Sequence, residues 1–261
     1  MSDLSDRLAF AVAAAEDVQP LILRHFQNPE LEVERKGDDS PVTVADKECE
    51  IRLRDAIGKR FPHDGVLGEE FKEVAGTNSY RWVLDPIDGT KPFVHGVPLF
   101  GTLIGLERDG ACVLGVARFP GLNEVVFGAE GLGATWINTR GVSRPARVSD
   151  VSAPDAALFC TANPRRWRDR GAGPAFERFT EDFRLTRGWA DCYGHMLVAT
   201  GRAEVMIDPI MSLWDAAALL PILKEAGGHF LTWTGEDRAD GGDGVSVNAK
   251  LRDEVLGRLR A

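Results

Sequence analysis

The chain has 261 residues, 44% of them hydrophobic, and a formal net charge of −9. That length can bury a sizeable core as one large domain over 1–261 or as two closely packed halves, about 1–145 and about 146–261. The acidic balance excludes nucleic-acid backbones as partners, which need clustered Lys and Arg, and no window approaches the roughly 20 apolar residues of a bilayer span.

The N-terminal stretch carries Asp3, Asp6 and Glu16 through its apolar positions. It reads as an amphipathic helix rather than a signal peptide, and a cytoplasmic location is expected. Helical spacing covers 4–27, with a kink or break expected at Pro20. Residues 31–43 alternate around a polar, Gly-containing tip, the pattern of a hairpin. A second helix follows over 45–60. The apolar pair Val66–Leu67 runs into Gly68–Glu69–Glu70, and Tyr80–Leu84 reads as a buried strand that stops at Asp85–Pro86, because Pro cannot continue a central ladder. Short strands with Gly turns are expected between Leu99 and Ile137. Beyond them the pattern alternates: helices at 174–182, 192–200, 212–226 and 249–260, strands at 203–207 and 229–233. This is layered α/β architecture with mixed sheets between helices. The basic cluster Arg165, Arg166, Arg168, Arg170 reads as a solvated loop, and 237–243 as a polar surface turn. Cys49, Cys112, Cys160 and Cys192 are scattered without a CxxC pair, so buried thiols are expected rather than a zinc or disulfide framework.

The sharpest local feature is WVLDPIDGTKPF at 82–93. A strand delivers Asp85, Pro86 stiffens the turn, and Asp88 follows three residues later. Two carboxylates with the intervening Ile87 carbonyl form a hard oxygen-donor set of the kind Mg²⁺ prefers. Gly89 and Thr90 open a short helical turn whose amides suit phosphate oxygens. An isolated Asp–Pro–x–Asp is more often an ordinary Asx turn. Here Glu69 ends another apolar run, while Asp215 and Asp46 each start a helix, where a carboxylate is also favoured by the helix dipole.

These elements resemble the inositol monophosphatase family. WVLDPIDGT at 82–90 is similar to its first signature, LWDAAALLPILKEAGG at 213–228 to its second, and TVAD (43–46) and GEE (68–70) fall in the family's order. The resemblance spans essentially the whole chain. It implies the αβαβα sandwich shared with fructose-1,6-bisphosphatase, and a site holding about two to three Mg²⁺ ions. It also implies roles: Glu69, Asp85 and the Ile87 carbonyl for the first ion; Asp85, Asp88 and Asp215 for the second; Glu69 for a weaker third. Gly89 and Thr90 would contact phosphate. Asp46 and Thr90 would orient and deprotonate the attacking water, and Lys36 matches the lysine of a mobile hairpin. Lys91 and Pro92 depart from many relatives, which carry Thr or Arg and Asn there. Homodimers and lithium sensitivity are common in the family and are expected here.

The pattern GWADCYGHMLVATG (188–201) is similar to the histidinol-phosphatase branch. Where inositol-specific members carry small residues, this chain reads Ala190–Asp191–Cys192, and Trp189, Asp191 and Tyr193 introduce a carboxylate and aromatic bulk. Asp208 occupies the place of their substrate-contacting glutamate. Two carboxylates suit a cationic leaving group, so Asp191, Tyr193 and Asp208 are the expected substrate contacts and L-histidinol phosphate the expected ester. The alternative ester is inositol 1-phosphate or a range of sugar phosphates. The non-enzyme alternative is a cation-binding regulatory protein, which would need no water-activating pair.

Overall fold

The computed structural model describes residues 3–31, 33–35, 41–189 and 191–260. Helix α1 (Asp3–His25) runs through Pro20 without the expected break, held by a buried stripe of Ala11, Ala14, Ala15, Val18 and Ile22. Strands β1 (Val33–Arg35) and β2 (Pro41–Thr43) form the expected antiparallel hairpin, and α2 (Val44–Arg60) follows directly. The hairpin tip, with Lys36, lies outside the described residues.

A seven-stranded sheet comes next. Its strands are β3 (Gly65–Gly68), β4 (Tyr80–Asp88), β5 (Gly101–Arg108), β6 (Ala111–Phe119), β7 (Glu124–Ala129), β8 (Gly133–Ile137) and β9 (Ser143–Pro145), paired in that order. The short α3 (Thr90–Val94) leaves β4 for β5. The expected short strands are in fact long at β5 and β6, with 8 and 9 residues. The second half brings β10 (Leu158–Thr161), α4 (Pro164–Asp169), α5 (Gly173–Asp182), β11 (Leu185–Arg187), α6 (Asp191–Ala199) and β12 (Val205–Asp208). It ends with α7 (Leu213–Ala216), α8 (Leu219–Glu225), β13 (His229–Leu231), β14 (Gly244–Val247) and α9 (Arg252–Arg260). Its sheet has the order β11-β10-β12-β14-β13, parallel among the first three and antiparallel beyond.

Alternation along the strands sorts the cores into layers. Trp82, Leu84, Ile104 and Val116 pack against Ala15 and Val18 of α1 and Cys49 and Leu53 of α2. Their neighbours Leu103 and Ala117 face the other way, onto Met196 and Val198 of α6 and Leu219 and Leu223 of α8, and Cys160, Met206 and Phe230 close that same core from the second sheet. Phe159, Val205, Ile207 and Leu231 point outward beneath Phe179 of α5 and Val255 of α9. The stack is therefore αβαβα, as expected.

Two departures shape the site. The strand carrying Asp85 does not stop at Pro86 but continues to Asp88, with a register shift against β5: Asp85 pairs with Leu103, Asp88 with Gly101. Between those pairs Pro86 and Ile87 oppose Thr102 alone, a bulge, where the missing N–H of proline costs no ladder bond. Side chains three apart on a regular strand point to opposite faces; the extra residue puts Asp85 and Asp88 on the same one. The Pro86 carbonyl, freed from the ladder, accepts from the Thr102 hydroxyl at 2.8 Å.

The helix expected over 212–226 is also broken, at Ala217–Ala218. Pro221 has no N–H for the Ala217 carbonyl and its ring crowds that group. The break then settles on a bare patch of sheet made by the paired Gly105 and Gly115. A Cβ on Gly115 would stand 1.9 Å from the Ala218 oxygen, and one on Gly105 2.9 Å from the Ala217 Cβ. Because α7 carries Asp215, this contact sets the depth of a functional carboxylate. Gly115→Ala is expected to cost about 1–3 kcal/mol by overpacking, lowering the melting temperature by several degrees and activity by more than the folded fraction explains. An unchanged melt would show that the break is not seated on this patch.

Candidate active site

The carboxylates of the acidic motif converge at the ends of β3, β4 and α7. Ligand oxygens of Asp85, Asp88 and Asp215 lie within 4.8 Å of one another. Asp85 is 1% exposed, and its Oδ1 is buried without a hydrogen-bond partner. Its carboxyl is held well above the ordinary range, first by burial and then by Glu69, Asp88 and Asp215. Asp88 is raised by burial and by Asp191 and Asp215, although the Cys192 amide donates to its Oδ2 at 2.5 Å. Burial pushes Asp215 up to about 6, opposed by the Ser212 amide, which donates to its Oδ2 at 2.7 Å. A buried cluster of like charges with an orphaned oxygen is costly unless a cation neutralises it. The donor set is all oxygen and hard, and it fits a divalent cation of the Mg²⁺ type.

Glu69 follows β3 on a loop fastened from behind. Its own amide continues the pairing to the Leu84 carbonyl at 3.2 Å. The fully buried Glu50 accepts from the Glu70 amide at 2.8 Å and the Phe71 amide at 3.3 Å, and pairs with Arg54. Gly68 is required there, because a Cβ would stand 2.1 Å from Glu50 Oε1. Sequence reasoning passed over Glu50, a carboxylate placed mid-helix on an otherwise apolar face.

Asp46 and Asp215 satisfy the helix-start reading and the site reading together. Each sits at the third position of its helix in a reciprocal capping box, with Thr43 and Ser212. Asp46 Oδ2 accepts from the Thr43 amide at 2.8 Å and hydroxyl at 2.6 Å, and burial raises its carboxyl to about 7. The Thr90 hydroxyl donates to the Ile87 carbonyl at 3.1 Å. Thr90 and Asp46 thus bond to other groups here rather than to each other. The Ile87 carbonyl keeps a second lone pair. Gly89 caps α3 with φ of 84°, and a Cβ on it would press the Leu99 carbonyl at 3.0 Å; glycine is needed at this turn.

The cleft above this cluster is lined by Glu69, Asp88, Asp191, Asp208 and Asp215 against two cations, Lys91 and Arg166, with Gly89, Thr90, Cys192, Ile210 and Met211 between them. Asp191 opens α6 in a left-handed conformation, φ of 53°, uncommon for a side chain with a Cβ and frequent where function constrains the backbone. Its carboxyl is raised to about 7 by burial and by Asp208, and lowered in turn by Lys91 and Arg166.

Three comparisons bear on this geometry. The model of the inositol monophosphatase family matches residues 3–260. The chain belongs to that family. The histidinol-phosphatase of Chlorobaculum parvum is 43% identical over 97% of this chain and 96% of its own length. That of Mycobacterium tuberculosis is 37% identical over 98% of each. Among solved structures, an inositol monophosphatase from Zymomonas mobilis superposes with a TM-score of 0.84 at 30% identity, covering both chains fully. As an inositol monophosphatase family member the chain is a phosphoric monoester hydrolase. No helix among the described residues is long and apolar enough to cross a membrane.

Some expected placements need correcting within this family frame. Tyr193 is not among the residues that line the cleft. Its hydroxyl lies 3.4 Å from Glu124 Oε2 and takes a bond from Arg202 at 3.2 Å, and its ring meets Phe119 edge-on. It anchors α6 to the sheet. The basic cluster is not a loop but α4, capped by Asn163 with Pro164 in its first turn. From it Arg166 reaches the cleft and donates to the Ile210 carbonyl at 3.1 Å, and Arg170 pairs with Asp243. Asp243 is buried, so 237–243 is not wholly a surface turn. Of the four cysteines, Cys112 is only partly buried. Burial raises the Cys192 thiol well above its usual range, leaving it a poor nucleophile.

Proposed function

We propose that this chain hydrolyses L-histidinol phosphate to L-histidinol and phosphate, as a step of histidine synthesis, with Mg²⁺ held by Glu69, Asp85, Asp88, Asp215 and the Ile87 carbonyl. The carrying observation is the second acidic pair, Asp191 and Asp208, which lines the cleft outside the three clustered carboxylates. Inositol-specific members keep one carboxylate, at the place of Asp208; a neutral polyol gives no reason for a second, Asp191, in an already acidic cleft. An ammonium and an imidazole on the leaving alcohol do. Curated relatives named histidinol-phosphatases support the same ester.

Bound Mg²⁺ supplies charge neutralisation and Lewis acidity to a dianionic ester that otherwise repels nucleophiles. The chain does the rest. Gly89 and Thr90, at the start of α3, orient the phosphoryl group with their amides. Asp46, assisted by Thr90 and Glu69, holds the attacking water and takes its proton. Asp191 and Asp208 hold the leaving alcohol so that its oxygen lies in line. A homodimer in the cytoplasm belongs to the same reading.

The test is phosphate release in Mg²⁺ from L-histidinol phosphate, inositol 1-phosphate and an aryl phosphate, by wild type and Asp191→Ala. Wild type is expected to prefer the histidinol ester. Losing one charge-assisted contact is worth about 1.5–3 kcal/mol, so Asp191→Ala should raise KM for that ester about 10- to 100-fold and far less for the aryl ester. A preference for inositol 1-phosphate, or equal effects on all three, would remove the histidinol assignment and leave a phosphatase of another ester.

A further inference from the structure

Helix α6 carries two chemically active side chains one turn apart, Asp191 and His195. Asp191, its first residue, lines the cleft. His195, one turn on, is 0% exposed, packed beside Phe230 with ring centroids 5.8 Å apart. A fully buried imidazole is costly unless both nitrogens are satisfied. Here both have partners: Nδ1 lies 2.7 Å from the hydroxyl of Ser246 on β14, and Nε2 lies 3.4 Å from Asp208 Oδ2 at the end of β12.

The proton inventory fixes the direction of this chain. A carboxylate only accepts, and a hydroxyl can donate or accept. A proton on Nδ1 alone would turn the Nε2 lone pair onto Asp208, two acceptors face to face. The neutral ring therefore takes the Ser246 hydroxyl proton in a hydrogen bond at Nδ1 and presents Nε2–H to Asp208. The protonated ring does the same at Nε2 while donating to the Ser246 oxygen. Either way, an N–H from behind holds one Asp208 oxygen and leaves the other for the cleft.

We propose that His195 is a positioning residue for leaving-group recognition: it fixes Asp208 opposite Asp191 so that the two carboxylates meet a cationic alcohol together. This rests on the cationic-ester reading above and extends it to a side chain that never touches substrate. Asp208 sets the ring's tautomer, and Ser246, able to donate or accept, satisfies Nδ1 and completes the device. Asp208 is 5% exposed and Ser246 and His195 are 0% exposed, so no solvent rearrangement substitutes for the missing partner.

The experiment measures kcat and KM on L-histidinol phosphate and on p-nitrophenyl phosphate, for wild type, His195→Leu, His195→Gln, Ser246→Ala and Asp208→Asn. His195→Leu is expected to raise KM for the histidinol ester about tenfold more than for the aryl ester, with kcat following KM little. Gln places an amide N–H near the former Nε2 and should restore most of the difference. Ser246→Ala, which barely alters volume, should give a smaller loss of the same selective kind, and serves alone if His195→Leu does not fold. Parallel losses on both esters without rescue by Gln would assign His195 to packing and overturn the proposal. Selective loss in Asp208→Asn with none in His195→Leu or Ser246→Ala would overturn it too, leaving the cationic-ester reading intact. No selective effect of Asp208→Asn would remove that reading and this proposal together.

Discussion

Asp85→Asn is expected to lower kcat/KM by more than about a hundredfold while making the metal-free protein more stable. The first half follows from the proposed ligand role, since even partners one step removed from a metal are typically worth 10–100-fold. The second half distinguishes a functional charge from a structural one. Asp85 has a fully buried carboxyl with one oxygen unpartnered, crowded by Glu69, Asp88 and Asp215. Asparagine keeps the shape and removes the charge, so near pH 8 it relieves repulsion that the metal would otherwise relieve. A gain of about 1 kcal/mol corresponds to roughly 2–4 °C in a chain of this size. The trade of stability for activity is common at such sites. Thermal melts without and with Mg²⁺, paired with phosphate release, decide it. A metal-free melt well below wild type would mean that Asp85 is a fold-stabilising group and would count against the whole cluster as a cation site.

The carboxylates were legible because motif spacing survives folding: Asp85, Asp88, Glu69 and Asp215 sit at ends of elements that local pattern alone locates. What brings them together was not. The missing N–H of proline argues for a strand end at Pro86, whereas the structure absorbs Pro86 in a bulge, and the bulge aligns Asp85 with Asp88. The break in the second signature helix had a local signal that went unused, Pro221 set against the Ala217 carbonyl. Its seat on Gly105 and Gly115 is purely tertiary, joining positions about a hundred residues apart in sequence. The Asn163–Pro164 start of α4 also had a readable signature, a capping side chain followed by Pro in the first turn; missing it hid Arg166. His195 offered no sequence signal beyond lying four residues after Asp191. Its partners Ser246 and Asp208 come from two other strands, and only the packed sheet shows them. Tyr193 shows the converse: a residue inside a resembling motif need not share the motif's face.

Stabilisation by Mg²⁺ should grow as pH rises from about 5 to 8. Burial holds Asp46 and Asp191 up to about 7 and Asp215 up to about 6, against an ordinary value of 3.8. Between the unfolded and folded values the native state binds more protons than the unfolded one. Stability therefore falls with rising pH across that window, from about 4 to about 7. The metal-free protein should thus melt higher near pH 5 than near pH 8 as far as this cluster is concerned. A cation held by Asp85, Asp88 and Asp215 competes with the protons on that cluster, so its binding weakens at pH 5 and strengthens as they leave. At a hundredfold excess over its Kd a ligand adds about 2.7 kcal/mol, or roughly 5–11 °C at 2–4 °C per kcal/mol. Asp3, Asp17 and Asp240 are shifted the opposite way by their hydrogen-bonding partners. Their carboxylates are exposed and of small effect, and they cancel when melts with and without Mg²⁺ are subtracted at each pH. The quantity to measure is that difference: several degrees at pH 8, shrinking towards zero at pH 5. A difference that stayed constant, or grew towards acid, would mean that the clustered carboxylates are not what the cation binds, and the metal assignment would fall with it.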